Sequence, residues 1–137
     1  MITILHISDL HIHSNYDQDQ VLDKFLDDLK NQEKIDLVVC SGDIFAKGNY
    51  NKSIVEYAQN FFHKLNKITN NAEIILCAGN HDVNLKIRDS IFSSIFDIKD
   101  HKAAVNLFDK LYHEPKKDLL AHLSDYNDFA STIVNIP

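Results

Sequence analysis

Apolar residues along this chain follow two different spacings. Residues 2–7 (Ile-Thr-Ile-Leu-His-Ile) are apolar on both alternating faces, the pattern of a strand buried on both sides. Residues 36–40 and 73–78 repeat it, each closing near a cysteine. Between these runs the period lengthens to that of a helix. Val21, Leu22, Phe25, Leu26 and Leu29 share one stripe, and Ile54, Val55, Ala58, Phe61, Phe62 and Leu65 share another. Asp17 with Gln20, and Ser53 with Glu56, have the spacing of a helix-opening capping box. The order β-α-β-α-β predicts a parallel sheet with right-handed crossovers.

Beyond residue 82 the helical period persists. Ile87, Ile91 and Ile95 form one stripe, with Phe92 and Phe96 beside it. Ala104, Leu107, Phe108 and Leu111 form a second, ended near Pro115. Leu119, Leu120, Leu123, Tyr126, Ala130, Ile133 and Val134 form a third. No repeat, low-complexity tract or further strand is evident.

Composition narrows the class. The chain has 137 residues, 45% of them apolar and 25% charged, which fits a folded globule and not a disordered segment. No run approaches the roughly 18 apolar residues of a membrane span, and the N-terminus lacks the charge and apolar core of a secretory signal. Cys40 and Cys77 make neither a disulfide framework nor a zinc spacing, so buried, reduced thiols in a cytoplasmic protein are expected. Charge is uneven: residues 1–82 hold 7 basic and 12 acidic side chains (−5) of a total −6. That acidic half disfavours a grip on nucleic acid by bulk charge. A phosphate substrate remains compatible with it if metal ions supply the positive field.

Each predicted strand ends in a polar cluster. Ser8-Asp9-Leu10-His11-Ile12-His13 follows the first, Ser41-Gly42-Asp43 the second, and Gly79-Asn80-His81-Asp82 the third. Ligands of open parallel sheets gather at the carboxyl ends of the strands, so the three clusters should converge. The intervals of 34 residues (Asp9 to Asp43) and 37 (Asp43 to Asn80) are each about one βα unit. Carboxylates, imidazoles and an amide together suit Mn²⁺, Fe or Zn²⁺ better than a thiolate site would.

Asp9-Leu10-His11, Gly42-Asp43 and Gly79-Asn80-His81-Asp82 resemble, in order and spacing, the first three signature blocks of calcineurin-like metallophosphoesterases. The resemblance covers residues 1–82. It implies that Asp9 and His11 bind a first metal, that Asp43 bridges two metals, and that Asn80 binds the second. His81 would stand beside the scissile phosphate as general acid or charge stabiliser. The implied cofactors are two divalent ions, Mn²⁺ first with Fe or Zn²⁺ as alternatives, supporting hydrolysis of a phosphomonoester or phosphodiester by an activated water. Gly42 and Gly79 would let the backbone turn tightly into the site. His13 is a rim residue that could meet substrate. Asp82 has two readings, orienting His81 or capping the following segment. His6, inside a strand, reads as a satisfied core histidine, and His63, His101, His113 and His122 as surface or interface residues.

The family pattern continues with two further histidine blocks, the last being Gly-His-x-His. No glycine follows position 79, so that block is absent and the second metal site is incomplete. The implied fold is one parallel-sheet half of a four-layer αββα sandwich, with one sheet face open, followed by an all-helical tail. Residues 1–84 would form the N-terminal half of the domain with its metal loops, and residues 85–137 a helical insertion or cap. The expected protein is a cytoplasmic metal-dependent phosphohydrolase fragment, weak or inactive alone. A missing C-terminal half or a partner chain would complete its site. Its partner is a phosphate-ester substrate, nucleic acid staying open, and no membrane. The competing expectation is a non-catalytic helical interaction module, or a half-domain completed by another chain.

Overall fold

The computed structural model describes residues 1–13, 16–84 and 123–134, together with residues 86, 102, 103, 105 and 106. Three strands, β1 (Ile4–Ile7), β2 (Leu37–Cys40) and β3 (Glu73–Leu76), alternate with α1 (Tyr16–Leu29) and α2 (Lys52–Ile68). A third helix, α3 (Ser124–Val134), closes the described chain. The strands pair in parallel in the order β1-β2-β3, with Leu5, Val38 and Ile74 in one row and Ile7, Cys40 and Leu76 in another. The class is α/β, as the alternation of periods predicts. The first two helical stripes expected beyond residue 82 fall largely outside the described residues.

Sequential strand order has a geometric consequence. Crossovers of one hand, repeated in one direction across the sheet, place their helices on the same face. Burial follows that rule: Ile7, Val38, Cys40 and Ile74 point into the core, whereas Ile4 is 55% exposed, Ile75 is 43% exposed, and His6 faces out with them. The strands are therefore not buried on both sides among the described residues. His6 is an exposed residue whose Nε2 lies 2.8 Å from Ser41 Oγ, not a core histidine. Cys40 and Cys77 separate for the same reason: Cys40 is paired with Leu76 on the inner face, so Cys77, one residue on, is exposed on the outer one.

Helix ends differ from the capping-box expectation. The N-cap of α2 is Asn51, whose Oδ1 accepts 3.0 Å bonds from both the Ser53 N–H and the Ser53 hydroxyl, leaving Ser53 inside the first turn. Asp17 lies within α1, and its side chain falls outside the described residues. At the far end of α2, Asn70 and Asn71 adopt left-handed φ values of 55° and 63° and reverse the chain towards β3. Asparagine tolerates that region better than other residues with a Cβ, so it takes the place glycine usually fills in this glycine-poor chain.

The core joins all three helices to the inner sheet face. Leu22 and Leu26 of α1, and Ile54, Ala58, Phe61, Phe62 and Leu65 of α2, are buried as their stripes predict, but Val21 is 65% exposed. Helix α3 packs against α2 and β3 through Tyr126, Phe129 and Ile133. Phe129, absent from the expected stripe, sits at its centre: its ring meets Phe45 at 4.8 Å and Phe62 at 6.0 Å, both edge to face. Val134, expected in the stripe, is exposed. Gln59 Nε2 bonds Thr132 Oγ1 (3.1 Å) at the rim of this contact. Among the described residues no helix is long and apolar enough to cross a membrane.

Burial raises the Cys40 thiol to about 11 and removes it from solvent. Iodoacetamide at pH 8 is therefore expected to label Cys77 alone in the native protein and both cysteines in denaturant, read by peptide mass spectrometry. Labelling of Cys40 at a comparable rate under native conditions would contradict this packing.

Candidate metal centre

Three loops leave the carboxyl ends of the strands, and their backbones bind one another. Asp9 N donates to Gly42 O (3.1 Å), His11 N to Asp43 O (2.9 Å) and Ile12 N to Ile44 O (2.8 Å), extending the β1–β2 pairing beyond the sheet. The third loop joins through Gly48 N to His81 O (2.6 Å) and His81 N to Asp43 Oδ1 (2.8 Å). Ile12, Ile44 and Phe45 are completely buried beneath this mesh. The intervening polar residues are left on the outer side.

That outward set is strained. Asp9, His11 and Asp43 have φ values of 56°, 45° and 55°, in a region that costs a residue with a Cβ about 1–3 kcal/mol. Such conformations persist when surrounding bonds over-determine them, and here each of the three lies within the inter-loop ladder. Strain of this kind concentrates where side-chain direction matters to function.

The three strained residues converge. One donor atom each from Asp9, His11 and Asp43 lie within 4.8 Å of one another, and His11 Nε2 stands 3.7 Å from Asp9 Oδ1. Donors about 2.1 Å from one ion are about 3–4.2 Å apart, so modest adjustment brings all three into one coordination sphere. Two carboxylates and an imidazole suit a borderline divalent cation, and three protein donors leave room for water or substrate. Asp9 is well exposed and receives a 2.6 Å bond from the Ser8 hydroxyl, so the group opens to solvent. The residues present fit a metal ion.

The other candidates occupy distinct places. The His81 ring meets the His11 ring edge to face at 4.8 Å, beside the donor group. Asn80 is exposed on the third loop, between Gly79 and His81. His13 is exposed at the end of the first loop, past the buried Ile12. Asp82 is fully buried, with Oδ1 accepting from Phe45 N (2.8 Å) and Oδ2 from Gly79 N (2.9 Å). Its carboxylate thus bonds the backbones of two loops.

Residues beneath the loops were less visible in the sequence. Tyr50 donates 2.6 Å to the backbone carbonyl of Asp82, and burial, followed by the negative charges of Asp82 and Asp125, pushes its hydroxyl pKa up. The Tyr126 hydroxyl is buried with no hydrogen-bond partner among the described residues, and burial with the Asp82 charge also pushes its pKa up. Asn84 Nδ2 reaches Asp125 Oδ2 at 3.3 Å, tying the third loop to α3. Only the i, i+3, i+7 spacing of Tyr126, Phe129 and Ile133 could have signalled this floor.

Two glycines permit the close approach. Gly42 has φ of 108°, and a Cβ there would lie 2.5 Å from Gly79 N. A Cβ on Gly79 would collide with the Asp43 backbone nitrogen and carboxylate. Gly42 turns the chain, whereas Gly79 makes space for the Asp43 side chain.

Parallel strands whose carboxyl-end loops gather carboxylates and imidazoles make this an α/β protein with a candidate metal-binding group. The family model for calcineurin-like phosphoesterases matches residues 2–135, and the chain belongs to that family. It is thereby a member of a family of metal-dependent phosphoester hydrolases. A comparison with curated proteins finds no match.

Replacing Gly79 with Ala forces a methyl group against Asp43 and should cost about 1–3 kcal/mol, the usual range for an overpacked site. Urea denaturation measures the loss, and Mn²⁺ affinity should fall with it. Unchanged stability and affinity would contradict the contact.

Proposed function

We propose that this chain carries the first-metal portion of a phosphoester-hydrolysing centre, with Asp9, His11 and Asp43 as ligands. The convergence on one point of three side chains, each carried on left-handed backbone, supports this reading. Mn²⁺ is the expected ion, with Fe and Zn²⁺ as alternatives of similar donor preference. When bound, the metal supplies positive charge to phosphate oxygens and lowers the pKa of coordinated water.

The chain's own residues do the remaining work. Asp43 is the residue shared between loops: its carbonyl accepts from His11 N and its carboxylate from His81 N, so it is oriented from two sides. His81 is held through both backbone groups, its N–H by Asp43 and its carbonyl by Gly48. A ring carried on that backbone, edge to face with His11, is placed to protonate a leaving oxygen or stabilise developing charge, work that rewards preorganisation. Asn80, exposed on the same loop, is a candidate for a second metal and for orienting a phosphate oxygen. His13 and the outer rim would meet the remainder of the substrate.

The substrate class is a phosphomonoester or phosphodiester. Nucleic acid is not favoured by the −5 charge of residues 1–82. A second metal would need donors beyond the three blocks present, and we place these on another segment or another chain. The exposed Ile4 and Ile75 on the outer sheet face support such a completing layer, because parallel sheets are rarely left bare on one side.

Calorimetric titration with Mn²⁺ is expected to show one tight site per chain, lost in Asp43→Asn. Turnover of a model phosphodiester should be weak or absent. No binding would overturn the metal reading. Two tight sites with robust turnover abolished by Asp43→Asn would show instead that the chain holds a complete centre.

A further inference from the structure

We propose that Asp82 is a positioning residue, whose carboxylate acts as a fixed spacer between the loop bearing Asp43 and the loop bearing Asn80 and His81. This rests on the metal reading above for its functional meaning, but not for its geometry. Asp82 is one of the few polar residues in the core and has no exposure. A buried carboxylate is costly unless its oxygens are bonded, and here each oxygen takes a different backbone N–H.

The two donors are not equivalent. Phe45 lies two residues after Asp43, and Gly79 lies one residue before Asn80. A rigid carboxyl group holding both therefore sets the separation of the two loops on the side away from solvent. Asp82 N also closes back onto Gly79 O (3.3 Å), and Tyr50 anchors the Asp82 carbonyl (2.6 Å), so the spacer is itself held at both ends. The neighbouring His81 N–H then reaches Asp43 Oδ1. That last bond contains no atom of Asp82, yet it forms only if the loop spacing is right.

Asparagine has nearly the shape of aspartate but offers one acceptor and one NH₂ group. In Asp82→Asn an N–H must face an N–H, and one loop is released. In the metal-free 137-residue protein, amide exchange by NMR should therefore quicken about tenfold at His81, while Cys77 N–H, bonded to Cys40 O in the sheet ladder, stays within about twofold. Mn²⁺ affinity should weaken about 10–100-fold, the usual effect of losing a group that orients ligands. Tyr50→Phe keeps the carboxylate and frees only its anchor. It should give the same local pattern at about threefold, and it decides the matter if Asp82→Asn does not fold.

Unchanged exchange at His81 overturns the proposal. So does an equal rise at His81 and Cys77, the mark of a merely structural residue. Local loosening with undiminished Mn²⁺ affinity also overturns it. If the unmodified chain binds no Mn²⁺, the metal reading fails, and exchange at His81 still decides whether Asp82 sets the loop spacing.

Discussion

Contact between the three strand-end loops is the constraint on which the centre depends. The sheet delivers those loops to one edge, but four residues per strand cannot by themselves fix a donor atom to a fraction of an ångström. The loops do that for one another, through backbone bonds from Asp9, His11, Ile12, Gly48 and His81. Glycine at positions 42 and 79 makes the approach sterically allowed, because a side chain at either would collide with the opposite loop. Left-handed backbone at Asp9, His11 and Asp43 is the cost of directing three side chains to one point.

Support for this arrangement comes from below. Ile12, Ile44 and Phe45 put apolar mass directly under the polar rim, and Phe129 of α3 packs against Phe45 from more than eighty residues along the chain. The same helix brings in Tyr126, whose hydroxyl pKa is pushed up by burial and by the Asp82 charge, and carries Asp125 to Asn84. The donor group and the core are therefore one mechanical unit. A change in how α3 seats reaches the second loop through the Phe129–Phe45 ring contact.

Much of this was legible in the sequence because periodicity reports burial. Two-residue alternation marked the strands and 3.6-residue stripes marked α1 and α2; Asp9, His11, Asp43 and His81 followed from strand-end placement. The misreadings have physical causes. His6 and Cys77 sit in runs that are apolar on both faces, and composition alone cannot say which face is covered. Ser53 lost its capping role to Asn51 because a cap is set by backbone geometry, which spacing only suggests. Phe129 was passed over because a polar-rich stretch surrounds it, and Asp82 was hard to read because its partners are backbone N–H groups.

The outer sheet face carries a consequence of a different kind. Ile4 and Ile75 leave apolar surface in water that would be worth about 25 cal/mol per Å² if covered. Any layer that binds there, and not to the unfolded chain, adds its binding free energy to the stability of the fold. The loops that gather Asp9, His11 and Asp43 rise from those same strands. With such a layer bound, their rigidity would depend on its concentration and occupancy, and not on the fold of this polypeptide alone.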